Sequence, residues 1–221
     1  MSAANQIIFI FERDYFLQDE GGTTVQRDDH PPQPGNYYIL TNGSIDVNNE
    51  PWLVRTISLQ SGTRVAAFRV AVRERDQRCV ITGESAVNAR GSWAGFEAAH
   101  IFSLAYEGHW NQHNCDVWIT IPSARGGSIN SVQNGMLLRA DIHALFDGYD
   151  VSINPDDNYK IICFNTGRKG IAERHLDQQF LDDPRRPVDQ LLRCHFRQAV
   201  LANMRGAGEP VFECDFRLGQ T

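Results

Sequence analysis

The sequence predicts an α+β fold, and three observations carry that prediction. Residues 1–60 are rich in β-forming runs broken by Pro, Gly and Asn. The middle of the chain sets short strand-like runs beside a short helical stretch, and residues 187–206 form one long stretch with helical periodicity. At 221 residues the chain is long enough to bury a substantial core. No stretch approaches the roughly 18 apolar residues of a membrane span. The start, "MSAANQIIFIFERDYF", lacks the basic region and cleavage site of a secretory leader. An intracellular protein of nucleus or cytoplasm, without a membrane partner, is expected.

Taken in order, "QIIFIF" reads as a buried strand, followed by a polar, proline-containing loop through "DDHPPQPG". The runs "NYYIL" and "PWLVRTISL" flank a turn signal at Asn42-Gly43, so a small sheet is expected here. "SGTRVAAFRVAVRERD" reads as a helix with Ser61 or Thr63 near its N-cap. Its apolar face is Val65, Phe68 and Val72, with Arg69 and Arg73 on another face. "RCVITG" reads as a short strand into a glycine turn, "GFEAAHIFSL" as an apolar segment with one histidine, and "DVWITIP" as a β-like run. "YDVSI" and "YKIICF" flank the turn residues "NPDDN" and predict a hairpin. The tail predicts a helix from about Pro187 to Gly206, with "VFECDF" as a returning edge strand. The expected regions are a β-rich part over 1–63, a core over 64–175 and a helical part over 176–221.

The five cysteines are odd in number and never form a C-x-x-C pair, which argues for reduced thiols. A mixed zinc site from Cys79, Cys115, His109 and His113 is chemically conceivable, but its spacing fits no common zinc pattern. Net charge is −6, which on its face argues against a nucleic-acid partner. The distribution is uneven, however. Among 21 basic residues only Lys160 and Lys169 are lysines, and from Arg64 to Arg90 six arginines face only Glu74, Asp76 and Glu84. Arginine is the side chain suited to bidentate phosphate contact.

Chemistry concentrates in "AAHI", with His100, and in "QNGMLLRADIHALFDG". If the latter contains a helix, His143 and Asp147 stand one turn apart on one face and can hold one ion. An ordinary surface His-Asp pair has the same spacing. The phrases "RCVITGE", "AAHIFSL", "NGMLLRADIHALFDGYDVSI" and "HFRQAVLANMRGAGEPVFE" together resemble the HNH endonucleases, and in particular an AHI…NG-x-LL-x-x-D-x-H-x-x-FD subgroup frequent in fungal genomes. The resemblance runs from about Gly35 onward and is most specific between Asn134 and Ser152.

That resemblance implies a ββα-metal core and a divalent-metal-dependent DNA endonuclease of low sequence specificity. The ion is expected to be Mg²⁺ or Mn²⁺, with Zn²⁺ as an option. It implies His100 as general base on the first strand, Asn134 as the residue that orients it, and His143 as a metal ligand. Asp147 adds a hard oxygen donor beside that imidazole, whereas Asp141 reads as the N-cap of the helix. Arg139, Arg125, Arg168 and Lys169 are candidate DNA contacts and equally ordinary surface charges. Arg193, Arg197 and Arg205 on the tail helix could touch DNA, but that helix is expected to pack its Leu191, Leu192 and Val200 on the core. Many relatives carry an Asp or His directly before the catalytic His, and this chain has Ala99 there. A catalytically inactive HNH-fold module that binds nucleic acid or protein is therefore the alternative.

Overall fold

In this computed structural model the described residues are 7–26, 33–53, 66–86, 92–123, 126–165, 170–172 and 174–204. The N-terminal region is a long antiparallel ribbon. Strands β1 (Phe9–Phe11) and β4 (Ile45–Val47) pair, as do β2 (Tyr15–Asp19) and β3 (Tyr37–Thr41). One register runs through both pairs, with Phe9 opposite Val47, Tyr15 opposite Thr41 and Asp19 opposite Tyr37. Between them Glu12 N–H donates to the Ser44 carbonyl at 3.2 Å, so the two arms are one ribbon with a short break. The strands flanking Asn42-Gly43 thus pair with β2 and β1 and not with each other. The expectation of a buried first strand is corrected: Ile10 is 57% exposed, because a two-stranded ribbon cannot cover both its faces. Ile8 just before it is buried, against Phe196 and Val200. Residues 54–65, with Ser61, Thr63 and Val65, lie outside the described part, as does "VFECDF".

Helix α1 (Ala66–Asp76) buries Phe68 and Val72, the face its apolar spacing predicts. It leads into a tight turn where the sequence suggests a strand. Gly83 N–H reaches back to the Cys79 carbonyl at 2.8 Å, and Val80 N–H donates to the Leu137 carbonyl at 2.9 Å. The apolar residues Cys79 and Ile81 still point into the core, which is what made the run look strand-like.

Strands β5 (Phe96–His100) and β6 (Gly135–Arg139) form an antiparallel pair with His100 opposite Gly135, and β6 feeds directly into helix α3 (Ala140–Asp147). That is the ββα unit. Helix α2 (Glu107–Gln112) lies in the connection between the strands. "DVWITIP" is a 3-10 turn at Cys115–Trp118, not a strand; the carboxamide of Gln133 accepts from Thr120 N–H and Ile121 N–H, a role a neighbouring strand would otherwise fill. Strands β7 (Val151–Asn154) and β8 (Lys160–Cys163) are the expected hairpin. After a short helix α4 (Gln178–Leu181), the long tail helix α5 (Asp189–Met204) buries Leu191, Leu192 and Val200 as expected. Its Arg193 pairs with Asp156 and its Arg197 with Glu50, while Arg205 lies outside the described residues.

Two layers sandwich the β5–β6 pair. Strand alternation sends Ala99, Met136 and Leu138 into the main core with Ile142 and Phe146 of α3, and Ala98 and Leu137 toward Phe68 and Val72 of α1. Helix α1 comes so close that a Cβ on Gly135 would lie 2.5 Å from the Phe68 ring and 2.8 Å from Val72, so glycine is required there. The packing is tied by a buried ion pair. The Asp76 carboxylate takes Leu137 N–H at 2.7 Å and the Arg75 guanidinium, which also donates to the carbonyls of Val132, Gly135 and Arg185. Both charges are fully enclosed, and such a pair is costly to break from one side.

Candidate active site

His143 sits in the second turn of α3, its ring nearly buried between two carboxylates. Nδ1 lies 2.5 Å from Glu97 Oε2 on β5, and Nε2 lies 3.2 Å from Asp147 Oδ2 one turn along the helix. The two contacts differ in kind. Two donors bound to one ion at about 2.1 Å stand about 3.0 Å apart at right angles and about 3.4 Å apart in a tetrahedron. The His143–Asp147 separation falls in that interval and the His143–Glu97 separation is too short for it. Glu97 therefore fits a hydrogen bond from Nδ1–H, which leaves the lone pair on Nε2, beside Asp147. The residues thus fit a divalent cation held by one nitrogen and one oxygen.

Burial disfavours the imidazolium of His143, but the adjoining Asp147 and Glu97 carboxylates outweigh it and raise the His143 pKa above its ordinary value. Among the described residues no three His, Cys, Asp or Glu side chains converge on one metal position. Ala99 is 1% exposed and packs in the apolar core, so it supplies nothing. The Cys79, Cys115, His109 and His113 alternative is not assembled either. Both cysteines belong to the main core, and the His109 and His113 rings lie against each other, tilted by 32° with centroids 4.1 Å apart.

His100 closes β5 on the other side of the strand pair. Its ring stacks on Phe68 at 3.9 Å, and Nε2 lies 3.3 Å from Asn130 Oδ1. The Asn130 amide is itself oriented, because its Nδ2 donates to the Gly126 carbonyl at 2.5 Å. Oδ1 therefore faces the ring, Nε2 carries the hydrogen, and the basic lone pair falls on Nδ1. Being an odd number of residues apart on β5, His100 and Glu97 point to opposite faces, which agrees with their partners on α1 and α3.

Asn134 is fully buried in a 3-10 turn just before β6. Its Oδ1 accepts from Phe102 N–H at 2.8 Å, and its Nδ2 donates to the carbonyls of Phe102 at 3.1 Å and Ile129 at 2.8 Å. One side chain therefore fixes the chain just after His100 and the turn that carries Asn130.

Asp141 does not cap α3. The N-cap is Arg139, without a side-chain cap bond; Asp141 lies in the first turn and grips the Arg139 guanidinium at two points, 2.6 and 2.8 Å. Arg139 also donates to Glu84 at 2.5 Å, so this candidate DNA contact already holds two carboxylates. Arg125, Arg168 and Lys169 lie outside the described residues. Sequence reasoning missed Glu97 and Asn130. Glu97 was legible in principle as the one acid on β5, but its reach to His143 depends on how α3 lies across the hairpin.

Residues 79–154 match a family model described as HNH endonuclease, and residues 3–46, which include most of the ribbon, match one described only as a domain of unknown function. No curated protein and no solved structure matches the chain. The family match begins at the turn after α1 and ends with β7, enclosing the ββα unit, His100, Asn134, His143 and Asp147. Residues 79–154 are thus similar to the HNH endonuclease family, and that likeness suggests a nuclease-type function.

Proposed function

We propose that the protein is a divalent-metal-dependent DNA endonuclease that hydrolyses phosphodiester bonds with little sequence specificity, using one ion. His143 Nε2 and Asp147 Oδ2 are the ligands, His100 is the general base, and Asn134 is the positioning residue. The observation that carries the reading is the 3.2 Å His143–Asp147 pair on α3, with Glu97 on the far ring nitrogen, in a ββα unit that also presents His100. When bound, the ion supplies positive charge to a phosphate oxygen and to the departing 3′ oxygen.

The protein's own residues account for the remaining requirements. His100 Nδ1 takes the proton of the attacking water as the oxygen–phosphorus bond forms, with Asn130 holding the ring in the competent tautomer. Asn134 holds both the His100 end of β5 and the Asn130 turn in place, which fixes the position of the base. Glu97 fixes the orientation of His143.

One observation favours the rival reading of a nucleic-acid-binding module without catalysis. Ala99 is sealed in the apolar core, leaving only two protein donors among the described residues. Incubation of supercoiled plasmid with wild type and with His100→Ala in Mg²⁺, Mn²⁺, Zn²⁺ and chelator separates the two. Nicking that needs metal and His100 is expected. Its absence in every metal, or equal nicking by His100→Ala, eliminates the enzyme reading.

A further inference from the structure

We infer that the groove between α1 and β5 seats the phosphodiester backbone of the DNA, with Arg69 and Arg73 as its phosphate contacts. This rests on the nuclease reading above and gives its substrate a place on the molecule. The groove has a volume of about 220 Å³ and is lined by Phe68, Arg69, Arg73, Phe96, Glu97 and Ala98. It lies along the outer edge of β5, whose only strand partner among the described residues is β6. The outer edge of β6, by contrast, is covered by Val80 and Asp76.

Among the described arginines that lack a carboxylate partner, Arg69 and Arg73 are the two that line the groove. Arg75, Arg139, Arg185, Arg186, Arg193 and Arg197 each pair with a carboxylate. Arg69 and Arg73 stand one helical turn apart on α1 and neither pairs with an acid among the described residues, an arrangement that destabilises a helix by like-charge repulsion unless an anion joins them. Arg73 Nε is buried without any hydrogen-bond partner among the described residues, and its guanidinium carbon lies over the Trp93 ring, 5.0 Å from the centroid. A planar donor fork that is pre-positioned and lacks an acceptor matches a phosphate, which can take two of its N–H groups at once. Burial and the neighbouring Arg69 also pull the Arg73 pKa down, as expected of a cation without a counter-ion.

The groove is placed to serve the proposed site. Phe68 lines it and stacks on His100, while Glu97 lines it and contacts His143. A strand crossing the edge of β5 thus meets the groups of both faces. The Glu97 carboxylate in the lining accepts a hydrogen bond from His143, and among the described residues it forms no ion pair with either arginine.

The test is binding of wild type, Arg69→Gln, Arg73→Gln and the double variant to a fluorescent DNA duplex of about 20 base pairs, in chelator, across a salt series. Each phosphate contact adds about 0.9 to the slope of log affinity against log salt, so each single variant should flatten the slope by about 1 and the double variant by up to about 2. Arg69 is exposed, so Arg69→Gln keeps the question open if Arg73→Gln folds poorly. Arg13→Gln, in the turn between β1 and β2, removes an equal charge elsewhere and should leave the slope unchanged. A slope unaltered by Arg69→Gln and the double variant, or altered equally by Arg13→Gln, overturns the assignment. If that happens while nicking still depends on His100, the groove alone is wrong. If the slope flattens but no metal supports nicking, the groove stands and the nuclease reading falls.

Discussion

Removing the Glu97 carboxylate probes the proposed metal site through the nitrogen of His143 that does not bind the ion. Glu97 Oε2 stands 2.5 Å from Nδ1, a short charge-assisted contact that holds the hydrogen on Nδ1 and makes Nε2 a better donor. Loss of such an outer partner typically lowers metal affinity about 10–100-fold. The Glu97 side chain is 48% exposed, so water can replace it in part and the effect belongs at the lower end. About tenfold corresponds to roughly 1.4 kcal/mol. Glu97→Gln keeps an acceptor for Nδ1–H and should cost less than Glu97→Ala. The assay is the Mn²⁺ concentration giving half-maximal plasmid nicking, at fixed pH and saturating DNA, supported by calorimetric titration of metal. The half-saturating concentration should rise about tenfold for Glu97→Ala with the maximal rate largely restored by excess metal. An unchanged half-saturating concentration would make Glu97 an ordinary surface acid, and a lost maximal rate that metal cannot restore would give it a direct part in the chemistry.

Asp147→Ala should reduce metal-dependent nicking nearly as far as His143→Ala, since each removes one of two proposed protein donors; an Asp147→Ala enzyme with wild-type metal dependence would place the ion elsewhere. Asn134→Ala leaves the Phe102 N–H and two buried carbonyls without partners, and should destabilise the fold by about 3 kcal/mol in denaturant unfolding. Gly135→Ala drives a methyl group into Phe68 and should cost about 1–3 kcal/mol; because His100 stacks on that ring, nicking should fall at temperatures where the variant remains folded. In chelator, the raised pKa of His143 means that its carboxylate contacts stabilise the fold fully below the unfolded-state value near 6.5. That stability is lost as pH climbs through the folded-state value. Denaturant midpoints of wild type minus the Glu97→Gln/Asp147→Asn variant should shrink with rising pH across that window, and a flat difference would contradict it.

Local pattern made some of this architecture legible and long-range contact decided the rest. Phe68 and Val72 at helical spacing identified the buried face of α1, and turn residues between two β-rich runs identified the β7–β8 hairpin. Both signals depend only on near neighbours. "RCVITG" and "DVWITIP" misled because apolar residues face a core equally well from turns, and here the hydrogen bonds come from Leu137 and from the Gln133 side chain far along the chain. Asp141 looked like a cap because its type and position suit one, but a nearby arginine captured its carboxylate. Within the candidate site, the His143–Asp147 spacing is a property of one helix and could be read directly. Glu97 and Asn130 act across the hairpin, on partners 46 and 30 residues away, where sequence spacing carries no information.

The burial of Ala99 ties the proposed metal site to the proposed DNA groove. A carboxylate in that position would lie among Met136, Leu138, Ile142 and Phe146, where an uncompensated charge is expensive. With an apolar residue there the core closes, and in the proposed site an ion would be held by His143 and Asp147, with water and phosphate oxygens for its remaining positions. Metal affinity would then depend on DNA being present. By linkage, the factor by which DNA tightens metal binding equals the factor by which metal tightens DNA binding. Arg69 and Arg73 would therefore help to hold the metal without touching it, by raising the occupancy of the phosphate that completes its sphere. At subsaturating DNA the Arg69→Gln enzyme should need more Mn²⁺ than wild type, and at saturating DNA the two requirements should converge. A higher metal requirement that persists at saturating DNA would mean that the arginine acts on the ion's own surroundings and not through the substrate.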